Sequence, residues 1–140
     1  MTTPTIAVID DDSDLLDLLN ILFADNGWAM VPFTDGRMAL NALAVTPPSV
    51  IMLDLWLGES RNGWDILADL RKVPSLQSTP VIVCSGAVDS LEDKEELLRE
   101  HRVTILAKPF DIDHLIHMVE AEYEDGTGKD MQVAVAAAAS

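Results

Sequence analysis

Five short apolar runs, at residues 5–9, 28–33, 50–53, 81–84 and 103–106, recur along the chain. Each is followed by a polar break and then an amphipathic stretch of helix length. Few architectures accommodate that alternation. Strands written almost wholly in Val, Ile and Leu need cover on both faces, and a parallel sheet with helices on either side provides it. The sequence therefore predicts a doubly wound α/β domain around a five-stranded parallel sheet.

The breaks agree with this reading. The first helix opens near Ser13 or Asp14, carries Leu15, Leu18, Leu19 and Leu22 at helical spacing as its buried stripe, and is stopped at Gly27. The second helix occupies 36–44, ahead of Pro47-Pro48. The third runs over 64–73 up to Pro74, and the fourth, the most polar, over 91–100. The last begins at Asp111 with Ile112, Leu115, Ile116 and Val119 on one face. Periodicity is lost near Glu124, which divides the chain into a domain at 1–123 and a flexible or Ala-rich tail at 124–140. A length of 140 residues suits one domain and leaves no room for a second.

Charge excludes more than it identifies. With 24 acidic against 9 basic side chains the net charge is −15, which disfavours direct contact with nucleic acid backbones. No apolar run could span a bilayer and no signal peptide opens the sequence, so a cytoplasmic location without membrane insertion is expected. Cys84, the only cysteine, lies in an apolar run and reads as a buried thiol.

In open α/β sheets ligands bind beyond the carboxyl ends of the strands. Here those ends carry Asp10, Asp11 and Asp12, then Asp54, then Ser85-Gly86, then Lys108-Pro109. Clustered carboxylates raise one another's pKa unless a cation sits among them, and a small all-oxygen cluster suits Mg²⁺. A carboxylate so placed can act as a nucleophile toward phosphorus, with an ammonium and a hydroxyl available to the phosphoryl oxygens. Asp54 is the candidate, because it alone ends a central strand without an adjacent acid.

Four segments, Val8-Ile9-Asp10-Asp11-Asp12-Ser13, Ile51-Met52-Leu53-Asp54-Leu55, Val83-Cys84-Ser85-Gly86 and Leu106-Ala107-Lys108-Pro109-Phe110, resemble in order and spacing the response-regulator receiver family. The resemblance covers residues 5 to about 122. It implies a flavodoxin-like three-layer sandwich with strand order 2-1-3-4-5. It also implies metal binding at Asp10, Asp11, Asp54 and the backbone carbonyl of Trp56, with Asp54 as phosphoacceptor, Ser85 as switch hydroxyl, Lys108 as phosphate-binding cation and a cis Lys108-Pro109 bond. The function implied is a stand-alone receiver. It would take a phosphoryl group from a sensor histidine kinase or phosphotransfer protein, switch conformation in a Mg²⁺-dependent way and act on a downstream protein. It would be a signalling module rather than an enzyme, with at most slow autodephosphorylation.

The chain departs from the family pattern in places. Residues 57–63 lack the usual Met-Pro pair and run about one residue longer, and Ile105 replaces the aromatic residue commonly found three positions before the lysine. Trp56 and Ala87 fill the two variable positions beside the phosphoryl site. Bulky Trp56 there suggests restricted access for hydrolytic water.

Other readings stand beside this one. Asp10 and Asp11 could serve as a helix cap and a first-turn charge, Asp12 as a cap, His114 and His117 as exposed residues, and Trp64 and Phe110 as packing residues. The alternatives for the whole chain are a phosphorylation-independent receiver scaffold and a Mg²⁺-dependent aspartyl-phosphate phosphatase. The second is disfavoured because Leu55-Trp56 offers no second acid after Asp54 and no cap domain is evident.

Overall fold

Each apolar run forms a strand in the computed structural model, which describes residues 3–55, 63–86, 99–100, 102–125 and 135–136. The strands are β1 (Thr5–Ile9), β2 (Ala29–Phe33), β3 (Val50–Asp54), β4 (Val81–Ser85) and β5 (Val103–Ala107). Between them lie α1 (Ser13–Asp25), α2 (Gly36–Val45), α3 (Gly63–Lys72) with a 3₁₀ turn at Pro74–Leu76, and α4 (Ile112–Asp125) after β5. The expected helix at 91–100 lies outside the described residues except for Arg99 and Glu100, which are helical. α4 runs to Asp125, so the helix crosses the expected boundary at residue 123.

All strand pairings are parallel and give the order β2-β1-β3-β4-β5. Beyond β5 a two-residue strand, β6 (Val135–Ala136), pairs in parallel with Ile105 and Leu106. No sequence pattern marks it, because an Ala-rich segment of two paired residues has no side-chain periodicity to read. Backbone donors and acceptors on the β5 edge account for its placement. The opposite edge is protected differently: Pro32 sits within β2, where a missing N–H is tolerated only on an edge strand.

Alternation along the strands sends side chains to two cores. Ala7, Ile9, Ile51, Leu53, Val81, Val83, Val103 and Ile105 pack under α2 and α3, meeting Ala39, Leu43, Ile66, Leu67 and Leu70. Ile6, Val8, Val50, Met52, Ile82, Cys84 and Leu106 pack under α1 and α4, meeting Leu16, Leu19, Phe23, Leu115 and Val119. The result is the three-layer sandwich that near-continuous apolar strands require.

One detail of α1 differs from expectation. Its buried residues are Leu16, Leu19 and Phe23, while Leu18 is 48% exposed and Leu15 and Leu22 are only half-buried. The same i, i+3, i+7 template fits from Leu15 or from Leu16, and the second option places the large Phe23 ring in the core against Trp28. The caps follow the sequence: Asp12 accepts from the Leu15 N–H, Asp35 from those of Arg37 and Met38, and Gly27 takes a positive φ of 84° after α1.

At the end of the sheet away from the acidic cluster, the Arg71 guanidinium donates to the carbonyls of Leu76, Thr79 and Arg102, tying α3 to the starts of β4 and β5. Burial, together with the charge of Arg102, lowers Arg71 to about 10. Among the described residues no helix is long and apolar enough to cross a membrane.

Candidate functional site

Register places the site. Val8 pairs with Met52 and Ile9 with Leu53, so the residues that follow, Asp10 and Asp54, leave adjacent strands at the same level. Both continue the side of the sheet occupied by Val8 and Met52, since side chains alternate with period two. Lys108 follows β5 with the same parity, two residues after Leu106. Three charged groups drawn from sequence positions far apart thus converge on one edge of the sheet.

The contacts are direct. The Lys108 Nζ donates to Asp10 Oδ2 at 2.8 Å and to Asp54 Oδ2 at 3.2 Å. Asp10 and Asp54 are buried, and the Lys108 side chain is 25% exposed. Asp10 also accepts from the Asp12 N–H at 2.9 Å through Oδ1, which fixes the carboxylate at the mouth of α1. Burial by itself would lower the Lys108 ammonium. The hydrogen bond it donates to Asp10 and the charges of Asp54 and Asp10 outweigh burial and hold it above its ordinary value.

Asp11 is exposed and completes a three-carboxylate group: one oxygen from each of Asp10, Asp11 and Asp54 lies within 4.8 Å of the others. Three hard oxygen donors at that spacing, two of them buried, fit a small divalent cation such as Mg²⁺. Among the described residues no other such group of His, Cys, Asp and Glu occurs, and His114 and His117 are exposed on α4.

Ser85 ends β4 and is buried, next to the β3 strand that ends at Asp54. Its carbonyl accepts from the Lys108 N–H at 2.8 Å, which joins the backbones at the ends of β4 and β5. The Lys108-Pro109 peptide is cis, as expected. Cys84 lies behind the site, fully buried, and burial pushes its thiol up. The nearby carboxylates add to that shift, while Lys108 opposes it. Ile105 is buried in the core beneath α2 and α3. Trp64 and Phe110 are packing residues at the rims of the two cores. Trp56, Ala87 and the altered loop up to Asn62 lie outside the described residues.

Two features were not legible in the sequence. The bridging of both carboxylates by one ammonium needs the register of three strands, which residue order alone does not provide. Gly63 reads in sequence as the end of a polar loop, yet it opens α3 directly against the backbone of Asp54 and Leu55.

Comparison with known proteins agrees with this geometry. Residues 6–120 match the response regulator receiver domain model. The transcriptional regulatory protein KdpE of Mycobacterium tuberculosis is 34% identical over 122 residues, covering 87% of this chain and 52% of that protein. The chain thus spans about half the length of that relative. Among solved structures, the Francisella response regulator 1452 receiver domain is 34% identical with a TM-score of 0.75, covering 87% of this chain and 98% of that one. The receiver domain of sensor histidine kinase PA1611 from Pseudomonas aeruginosa PAO1 shares the fold at 18% identity and a TM-score of 0.74, over 88% and 99% of the two chains. That structure has a magnesium ion coordinated in its active site cleft. With the fold, the strand order and the match over residues 6–120 in agreement, this chain belongs to the response regulator receiver family of two-component signalling proteins.

Proposed function

We propose that the chain accepts a phosphoryl group on Asp54 from a histidine kinase or phosphotransfer protein and signals through the resulting change at β4 and β5. The observation that carries this reading is the placement of one ammonium between two buried carboxylates, 2.8 Å from Asp10 and 3.2 Å from Asp54. In the transfer, an Asp54 carboxylate oxygen forms a bond to phosphorus while the phosphorus–nitrogen bond to the donor histidine breaks, and the imidazole leaves.

Lys108 then exchanges its contact with the Asp54 carboxylate for one with a phosphoryl oxygen, and the Ser85 hydroxyl donates to another. Asp10, Asp11, Asp54 and the Trp56 carbonyl would hold Mg²⁺, which when bound neutralises charge on the phosphoryl group. Because Lys108 N–H is bonded to the Ser85 carbonyl, a shift of either residue is shared by the ends of β4 and β5. Ile105 is already packed in the core, so this backbone link replaces an inward-rotating aromatic side chain as the route outward. The receiver unit would run from residue 1 to the end of α4 at Asp125, two residues past the expected boundary, and would be cytoplasmic, acting on protein partners rather than on nucleic acid. It would be a signalling switch rather than an enzyme, with its own hydrolysis of the phosphoryl group slow.

An acyl phosphate is chemically distinguishable from a phosphoserine. After incubation with a small phosphodonor and Mg²⁺, the label should be released by neutral hydroxylamine and by mild alkali. Label that resists hydroxylamine would place the phosphoryl group on a hydroxyl such as that of Ser85 and overturn the reading.

A further inference from the structure

Gly63 touches the backbone at the acidic site more closely than any side chain could. A Cβ built on it would stand 2.5 Å from Leu55 Cα, 2.7 Å from the Asp54 carbonyl oxygen and 2.7 Å from Leu55 C. All three are main-chain atoms, so no rotamer change relieves the overlap. By contrast, a Cβ on Gly86, at the end of the neighbouring strand, meets nothing within 4 Å.

Both bodies that meet at Gly63 are held from behind. On one side, the Leu55 N–H donates to the Cys84 carbonyl at 3.1 Å, and the Leu55 side chain is buried in the core with α3. On the other, α3 is seated by Ile66, Leu67 and Leu70, none of which has any exposed surface. Close-packed interiors of this kind pass a displacement on rather than absorb it. The Asp54–Leu55 peptide therefore sits between β4 and the first turn of α3, with the missing side chain of Gly63 as the clearance that allows it.

We propose that Gly63 is a positioning residue for Asp54: its bare Cα lets α3 clamp the Asp54–Leu55 peptide and so sets where the Asp54 carboxylate stands relative to Asp10, Asp11 and Lys108. Any side chain at residue 63 moves the strand end or lifts the helix, and the carboxylate moves with it. The consequence for phosphoryl transfer rests on the function proposed above, whereas the consequence for cation binding does not.

The test uses Gly63→Ala and Phe23→Leu in the full chain. Phe23→Leu loosens the other core, at the end of α1 away from Asp12, and leaves the packing of α3 against Leu55 intact. Mg²⁺ affinity and the rate of phosphorylation by acetyl phosphate are measured on each folded protein. Gly63→Ala should lose about 10- to 100-fold in rate and bind Mg²⁺ more weakly, as expected of an ångström-scale misplacement of a reacting group. Phe23→Leu should melt earlier and keep both values near wild type. If Gly63→Ala folds poorly, the measurements are repeated in sucrose or trimethylamine oxide, which favour the compact state. Restoration of wild-type Mg²⁺ affinity and rate on refolding would overturn the positioning role, as would equal values without osmolyte. A wild type that binds Mg²⁺ but gains no phosphoryl group would instead count against the proposed function, leaving the Mg²⁺ comparison to decide the role of Gly63.

Discussion

Two carboxylates buried side by side, Asp10 and Asp54, would repel strongly were Lys108 not placed between them. Removing one partner of a buried ion pair costs about 3–5 kcal/mol. A quarter of the Lys108 side chain is exposed, and solvent screening reduces the expectation for Lys108→Ala to about 1–3 kcal/mol without metal. Chemical denaturation should show that loss in chelator, and Mg²⁺ should stabilise the variant more than the wild type by neutralising the carboxylates left behind. The pH dependence follows from the same contact. The Lys108 ammonium is held above its ordinary 10.5, so its contribution is complete below about pH 10.5 and is lost as pH rises through the raised value. Metal-free wild type should therefore weaken on that alkaline side relative to Lys108→Met, as read from denaturation midpoints. Parallel curves for the two proteins would contradict the contact.

Among the elements, α1 shows how far a pattern can be read and where it stops. Its boundaries and its Asp12 cap follow from residue types, because an N-cap needs only a short acceptor side chain and a following helix. Its buried face does not, since eight apolar residues on thirteen positions allow two neighbouring stripes. Leu19→Ala should cost about 2–5 kcal/mol, whereas Leu18→Ala should stay within about 0.5 kcal/mol, in urea denaturation. Similar losses for both would mean the other stripe is buried. β6 marks the opposite limit. Two paired residues on an exposed edge are chosen by backbone hydrogen bonding, which leaves no trace in side-chain order. The strand ends fared better than either, because charged and hydroxyl residues at the carboxyl ends of apolar runs have few structural reasons to be there.

For the whole molecule, a doubly wound sheet converts residue order into spatial convergence. β1 and β3 are neighbours in the sheet though not in sequence, and this crossover brings Asp10 beside Asp54 and lets Lys108 reach both. The acidic cluster, the bridging ammonium and the shared backbone bond between Ser85 and Lys108 together form a site whose charge balance changes when one phosphoryl group arrives. The most direct test is the intact mass of wild type and Asp54→Asn after incubation with acetyl phosphate, with and without Mg²⁺. Phosphoacceptance at Asp54 entails a gain of one phosphoryl group in the wild type with Mg²⁺ and in neither protein otherwise. An equal gain in Asp54→Asn, or none in a wild type that binds Mg²⁺, would contradict phosphoacceptance at Asp54 and favour a scaffold that signals without phosphorylation.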